Sequence, residues 1–173
     1  VSRGAYKLKN ALKQFAPNLD EQIGLDIGSS TGGFTDLMLQ SGARRVYAVD
    51  VGTNQLHYRL RSDERVVCLE NTNARQLSTE HVPELVDLIT SDVSFISVTK
   101  VLPAAAKLLK PGGLAFILVK PQFEVAKTDV GDGVIRDEGL RQASLKRVCD
   151  FAQGELAWTV LEKKDSPLAG PKG

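Results

Sequence analysis

The chain has 173 residues, 42% of them apolar and 25% charged, with 22 basic against 21 acidic side chains for a formal net charge of +1. This is the profile of one soluble globular domain, and it excludes a disordered tail, a collagen or a coiled coil. No apolar run approaches the ~20 residues of a membrane helix, and a charge near zero argues against strong nonspecific nucleic-acid binding by the domain as a whole.

In chain order, the opening stretch is locally basic, with Arg3, Lys7, Lys9 and Lys13 ahead of the first acid, Asp20. Position 1 is Val and no signal-peptide pattern follows, so the chain reads as an excerpt of a longer protein. Apolar or β-branched runs at 23–28, 45–50, 66–70, 86–91, 114–119 and 158–161 are continuous rather than alternating, which predicts strands covered on both faces. Helix-period segments at 34–40, 54–61, 98–109 and 138–152 lie between them. Ser97 is placed to cap the third helix, and Lys110-Pro111-Gly112-Gly113 to stop it. Residues 121–137 read as a loop.

Strand-helix alternation calls for right-handed crossovers. The expected fold is therefore α/β, a doubly wound and mostly parallel sheet with ligands at the carboxyl ends of its strands. Because the chain ends soon after the sixth run, a last strand is expected beyond it. Cys68 and Cys149 sit in apolar-patterned segments without metal-ligand spacing, which predicts buried thiols in a reducing compartment, the cytoplasm.

The most informative segment runs from Gly24 to Asp36. Asp26 closes a strand two residues before Gly28; Ser29, Ser30, Thr31, Gly32 and Gly33 follow, then a helix opening at Phe34. Glycines let backbone approach a ligand, and a helix start presents unpaired N–H groups. A dinucleotide site would carry G-x-G-x-x-G, but Ser30 occupies the middle position. The charge of Asp26 would repel a pyrophosphate and attract the ammonium and sulfonium end of S-adenosylmethionine.

Asp50, 22 positions after Gly28, closes the next strand where a carboxylate accepts bonds from ribose hydroxyls. Asn73 can offer its side chain to an adenine edge and Val51 can pack on the base. Singly, Asp26 also reads as a helix cap and Asp50 as a turn residue; jointly with the glycines they read as a site.

Three charged residues are candidates for chemistry. Asp92 follows the fourth run and Lys120 the fifth, so both face the rim that carries the glycine turn, and Lys7 precedes the first strand and can fold over it. A hydroxyl attacking a sulfonium methyl must lose its proton, and an amine accepts one when a neighbouring cation discourages its own protonation. Asp92 would orient both amines. The residues alone leave Lys7 and Lys120 equally readable as solvated surface lysines.

At these residues the chain resembles the FtsJ-like ribosomal RNA methyltransferases, and in particular their hemolysin A (TlyA) branch. The likeness lies in residues 1–8, 24–36, 91–97, 119–124 and 166–173, five segments in the right order. It implies a Rossmann-like class I methyltransferase domain over residues 1–173, S-adenosylmethionine as donor, and 2′-O-methylation of ribosomal RNA or ribosomal subunits. It implies a Lys-Asp-Lys-Glu catalytic set whose first three members are Lys7, Asp92 and Lys120. The glutamate would follow Gly173, and an RNA-binding domain would precede residue 1. Ser2, Arg3, Gly4, Phe34 and Asp92 join the expected cofactor contacts on the same ground. No metal is expected, since a methyl on a cationic sulfur is already activated.

Other readings are a membrane-lytic protein, suggested by the hemolysin name alone, and a module that holds the cofactor without transferring anything. Amine methylation would want prolines after Asp92, where Val93-Ser94-Phe95 stands. Pyrimidine carbon methylation would want an exposed thiol nucleophile. His57, His81, Met38 and Trp158 read as surface or packing residues.

Overall fold

The computed structural model describes residues 3–16 and 18–168. Helix α1 (Ala5–Phe15) leads into β1 (Ile23–Ile27), α2 (Gly33–Gln40), β2 (Arg45–Val49), the single turn α3 (Tyr58–Arg61) and β3 (Val66–Leu69). After β4 (Val86–Ser91) come α4 (Leu102–Ala106), β5 (Leu109–Ile117) and α5 (Glu138–Glu155). The strands form one parallel sheet in the order β3-β2-β1-β4-β5. The chain reverses direction across the sheet between β1 and β4, and this switch point opens the crevice in which such folds bind ligands.

Burial of both sheet faces follows from the strand period of two. Ile23, Leu25, Ile27, Tyr47, Val49 and Ile89 join α4 and α5 residues in one core cluster, while Val46 and Leu88 join Leu8 and Leu12 of α1 and Met38 of α2 in the other. Gly24 is small because α2 crosses it: a Cβ there would lie 2.6 Å from Met38 Sδ.

Five of the six expected strands form, and the differences have local causes. The expected helix over 98–109 breaks into a 3₁₀ turn (Val98–Lys100) and the short α4. What reads as its stop signal is the lead-in of β5, where pairing jumps from Val86↔Leu109 to Leu88↔Leu114 and Lys110-Pro111-Gly112-Gly113 loop out as a bulge. Lys110 Nζ is pinned there, 2.8 Å from Asp87. The expected helix over 54–61 shrinks to α3 because Glu70 accepts the backbone N–H groups of Asn54, Gln55 and Leu56 at 2.8–2.9 Å, holding them in a loop. α5 continues three residues past Ala152.

Residues 158–161 form no strand among the described residues. Trp158 instead packs against the core and donates its backbone N–H to the Ala152 carbonyl near the end of α5. Cys68 and Cys149 are free thiols, half-buried rather than fully so.

Candidate active site

The carboxyl rim of the sheet collects the expected residues. Gly28 (φ 79°) turns the chain after β1, and its N–H and that of Ser29 bond to the Val49 carbonyl at 2.9 and 3.0 Å. A Cβ on Gly28 would stand 2.8 Å from the Asp92 carbonyl oxygen, so only glycine lets this turn pass so close to the end of β4. Ser30 also has positive φ, and Gly32 (φ 98°) closes the turn by donating to the Ser29 carbonyl at 2.8 Å. Gly33 then opens α2, and Phe34 turns its ring into the core beneath.

Asp50 caps two loops at once. Its Oδ2 accepts the Ser30 N–H at 2.7 Å and its Oδ1 the Gly52 N–H at 2.8 Å. Each oxygen retains a second lone pair for a hydroxyl. Val51 beside it is exposed, and Asn73, after β3, spends its side-chain oxygen on the Arg75 N–H at 3.0 Å. Arg3 is exposed, Gly4 precedes α1, and Ser2 lies outside the described residues.

Asp26 is fully buried, with its oxygens accepting the Thr35 hydroxyl at 2.7 Å and the Thr90 hydroxyl at 3.0 Å. Loss of hydration pushes its pKa from 3.8 up to about 6, against the opposing pull of the two threonines. Its charge lies under the glycine turn rather than open in the crevice.

Lys7, Asp92 and Lys120 come together as one cluster, although they stem from α1 and from the ends of two strands. Lys7 Nζ donates to Asp92 Oδ2 at 3.1 Å, and Lys120 Nζ lies 2.8 Å from Asp92 Oδ1. Their side chains are 23, 18 and 20% exposed, enough for a substrate to reach them. Lys120 Nζ also donates to Ser94 Oγ at 2.7 Å.

Several residues here were not anticipated. Thr35 and Thr90 hold Asp26, and Glu70 holds the loop after Asp50. Phe95 is 91% exposed at a strained φ of 65°, its ring 5.3 Å from that of Phe123, which in turn lies 5.9 Å from Lys120 Nζ. An aromatic residue between Ser94 and Ile96, three positions after the strand-end acid Asp92, is the signal that could have exposed it.

Two features test whether the rim suits an adenosyl cofactor. The turn brings backbone close enough to follow a ligand, and Ser29 Oγ and Ser91 Oγ are buried beside it with no hydrogen-bond partner among the described residues. Those hydroxyls and the spare lone pairs of Asp50 fit a ligand rich in hydroxyl and amine groups. Among the described residues no group of three or more His, Cys, Asp or Glu side chains is placed to hold a metal ion.

Comparison with known proteins shows the family and the fold. The chain matches the FtsJ-like methyltransferase family over residues 1–173. It is 49% identical over its whole length to the 16S/23S rRNA (cytidine-2′-O)-methyltransferase TlyA of Mycobacterium tuberculosis, spanning 65% of that protein. It is 44% identical to hemolysin A of Brachyspira hyodysenteriae, spanning 72% of it. A solved hemolysin-named structure from Streptococcus thermophilus superposes with a TM-score of 0.92 at 45% identity, covering 98% of this chain and 62% of that one.

Proposed function

The chain belongs to the FtsJ-like methyltransferase family, and on that premise we propose that it transfers a methyl group from S-adenosylmethionine to a ribose 2′-hydroxyl of ribosomal RNA, working in the cytoplasm. The observation that carries this reading is the Lys7–Asp92–Lys120 cluster at 2.8–3.1 Å beside the glycine turn.

The turn from Gly28 to Gly33 would follow the methionine part of the cofactor, Asp50 would accept its ribose hydroxyls, and Val51 and Asn73 would border the adenine. Bound there, S-adenosylmethionine supplies a methyl group made electrophilic by a cationic sulfur. Lys120, held 2.8 Å from Asp92 Oδ1, is the acceptor of the ribose proton. Lys7, on the other oxygen of the same carboxylate, fixes the direction in which Asp92 points. The bond between Ser94 Oγ and Lys120 Nζ aims the amine.

An RNA substrate is supported on both sides of this cluster. Phe95 offers a bare ring on which a base can stack, and such stacking is worth about 1–3 kcal/mol per base. Arg3, Lys9 and Lys13 are exposed on or just before α1, a helix without a single acid, and give the RNA backbone a cationic shoulder. Nothing comparable supports membrane lysis: no described helix is long and apolar enough to cross a bilayer. The ion-paired trio favours catalysis over mere retention of the cofactor.

The test is methyl transfer from labelled cofactor to ribosomal RNA by the full-length protein, with nuclease mapping of the protected 2′-O-methyl linkage. Lys120→Ala is expected to abolish transfer while cofactor affinity stays within about twofold. Undiminished transfer by that variant overturns the assigned base.

A further inference from the structure

Among the described residues Glu124 is the one glutamate whose side chain the fold takes almost wholly out of water, at 1% exposure, and the proposed reaction has no use for it as a reactant. Its carboxylate accepts the Ser97 hydroxyl at 2.6 Å and the Val98 N–H at 2.9 Å, and pairs with Arg147 of α5 at 2.8 Å. Arg147 also donates to the Glu124 backbone carbonyl. One side chain therefore ties together three pieces of chain: the loop from Asp92 to Val98, the turn that follows Lys120, and α5.

Only the acid of this pair is buried, for the Arg147 side chain is 55% exposed, and ion pairs with an exposed partner add little to stability. The pair sits instead where two loops must keep register. The loop from Asp92 to Val98 carries Ser94, whose hydroxyl receives the Lys120 ammonium, and Phe95, held at a positive φ that a bulky residue does not adopt unaided. The turn carries Lys120 itself, with the Lys120 carbonyl accepting the Phe123 N–H at 2.9 Å and the Pro121 carbonyl accepting the Glu124 N–H at 2.9 Å. A continuous path runs from Arg147 through Glu124 to Ser97 and Val98, along the loop to Ser94, and back to the Lys120 amine.

We propose that Glu124 is a positioning residue for methyl transfer: with Arg147 it locks the loop after β4 to the turn after β5, and so sets the direction of the Lys120 amine through Ser94. The proposal rests on the reading of Lys120 as the proton acceptor. A misplacement of about 1 Å at a reacting group costs on the order of a hundredfold in rate, which sets the scale of the effect.

The experiment compares wild type, Glu124→Gln, Ser94→Ala and the double variant, all at full length, for kcat and KM on ribosomal RNA and for cofactor affinity by calorimetry. Glu124→Gln sets its amide N–H₂ against a donor-only group whichever way it turns, the Arg147 guanidinium or the Val98 N–H. Its kcat is expected to fall about 10- to 100-fold, with cofactor affinity and KM within twofold. The double variant should be no slower than the slower single variant, because both changes act through one amine. A general loosening of the fold would lower cofactor affinity in parallel and combine multiplicatively with Ser94→Ala. Either result, or an unchanged kcat, overturns the proposal. Should Glu124→Gln fail to fold, Ser97→Ala removes only one bond of the clamp and is read by the same criteria, with a smaller fall in kcat expected. Wild-type protein that transfers no methyl group would defeat the underlying reading and the proposal together, whereas active wild type with multiplicative effects defeats the proposal alone.

Discussion

Replacing Asp26 by asparagine removes a charge that the fold holds in place without water. One threonine hydroxyl can go on donating to the amide oxygen and the other can rotate to accept from the amide N–H₂, so the change in shape is small and the change in charge is the perturbation. Burial raises the Asp26 pKa from 3.8 to about 6, so the native state binds this proton more tightly than the unfolded chain does. The stability linked to it is then full below pH ~3.8, declines as the pH climbs towards 6, and is flat above that. A shift of about two units corresponds to roughly 3 kcal/mol.

Urea unfolding of both proteins at intervals between about pH 4 and 8 measures this. Every other carboxylate contributes equally to the two curves, so the stability of the Asn variant minus that of wild type should rise by about 3 kcal/mol across the window and then level off. A difference that stays constant, or falls with pH, refutes the claim that desolvation dominates at this site. Cofactor affinity should move the other way, weaker in the more stable variant, since a stored charge beneath the glycine turn has a use only when a cation sits above it.

Gly28→Ala sets a Cβ 2.8 Å from the Asp92 carbonyl at φ 79°; thermal melting should register a loss of about 1–3 kcal/mol, and an unaltered midpoint would mean the two loops are free to part. Asp50→Asn presents an amide N–H₂ to the Ser30 or Gly52 N–H and is expected to weaken cofactor binding at least about tenfold, so equal affinity by calorimetry removes Asp50 from the ribose. Glu70 is held down to a pKa of about 2, chiefly by the Leu56 N–H and next by Arg61. Its stabilisation is therefore present above the ordinary value of 4.5 and lost as pH falls towards 2. In Glu70→Gln, amide exchange at Asn54, Gln55 and Leu56 should be faster at neutral pH, and unchanged protection there would show that other contacts hold the loop.

Residues that finish a strand were legible because a parallel sheet delivers its carboxyl ends to one rim whatever lies between. Asp50, Asp92 and Lys120 needed only the boundary of a β-branched run to be placed. The second half of the expected helix over 98–109 failed for the opposite reason: its fate depends on β4, which accepts Leu109 as a pairing partner and captures Lys110 with Asp87. Residues 158–161 have strand-like composition, but a strand is a property of a pair, and no partner strand lies beside them among the described residues. The burial of Asp26 was hidden because Thr90 reaches it from 64 positions away. Glu124 lies within the segment 119–124 but its role is invisible in sequence, since Arg147 enters from a helix that begins 14 residues later.

The Lys7–Asp92–Lys120 cluster is unequally anchored. Asp92 and Lys120 follow strands that are laddered into the sheet, whereas Lys7 rides on α1, whose grip on α2 comes largely from Leu8 and Leu12. Lifting α1 would expose two leucines, about 3–6 kcal/mol, and leave the sheet intact. A displacement of this helix would withdraw one ammonium from the cluster while the sheet keeps Asp92 and Lys120 in place. The cluster is thus held by elements of unequal stiffness, and a force on the first helix is expected to move Lys7 before Asp92 or Lys120.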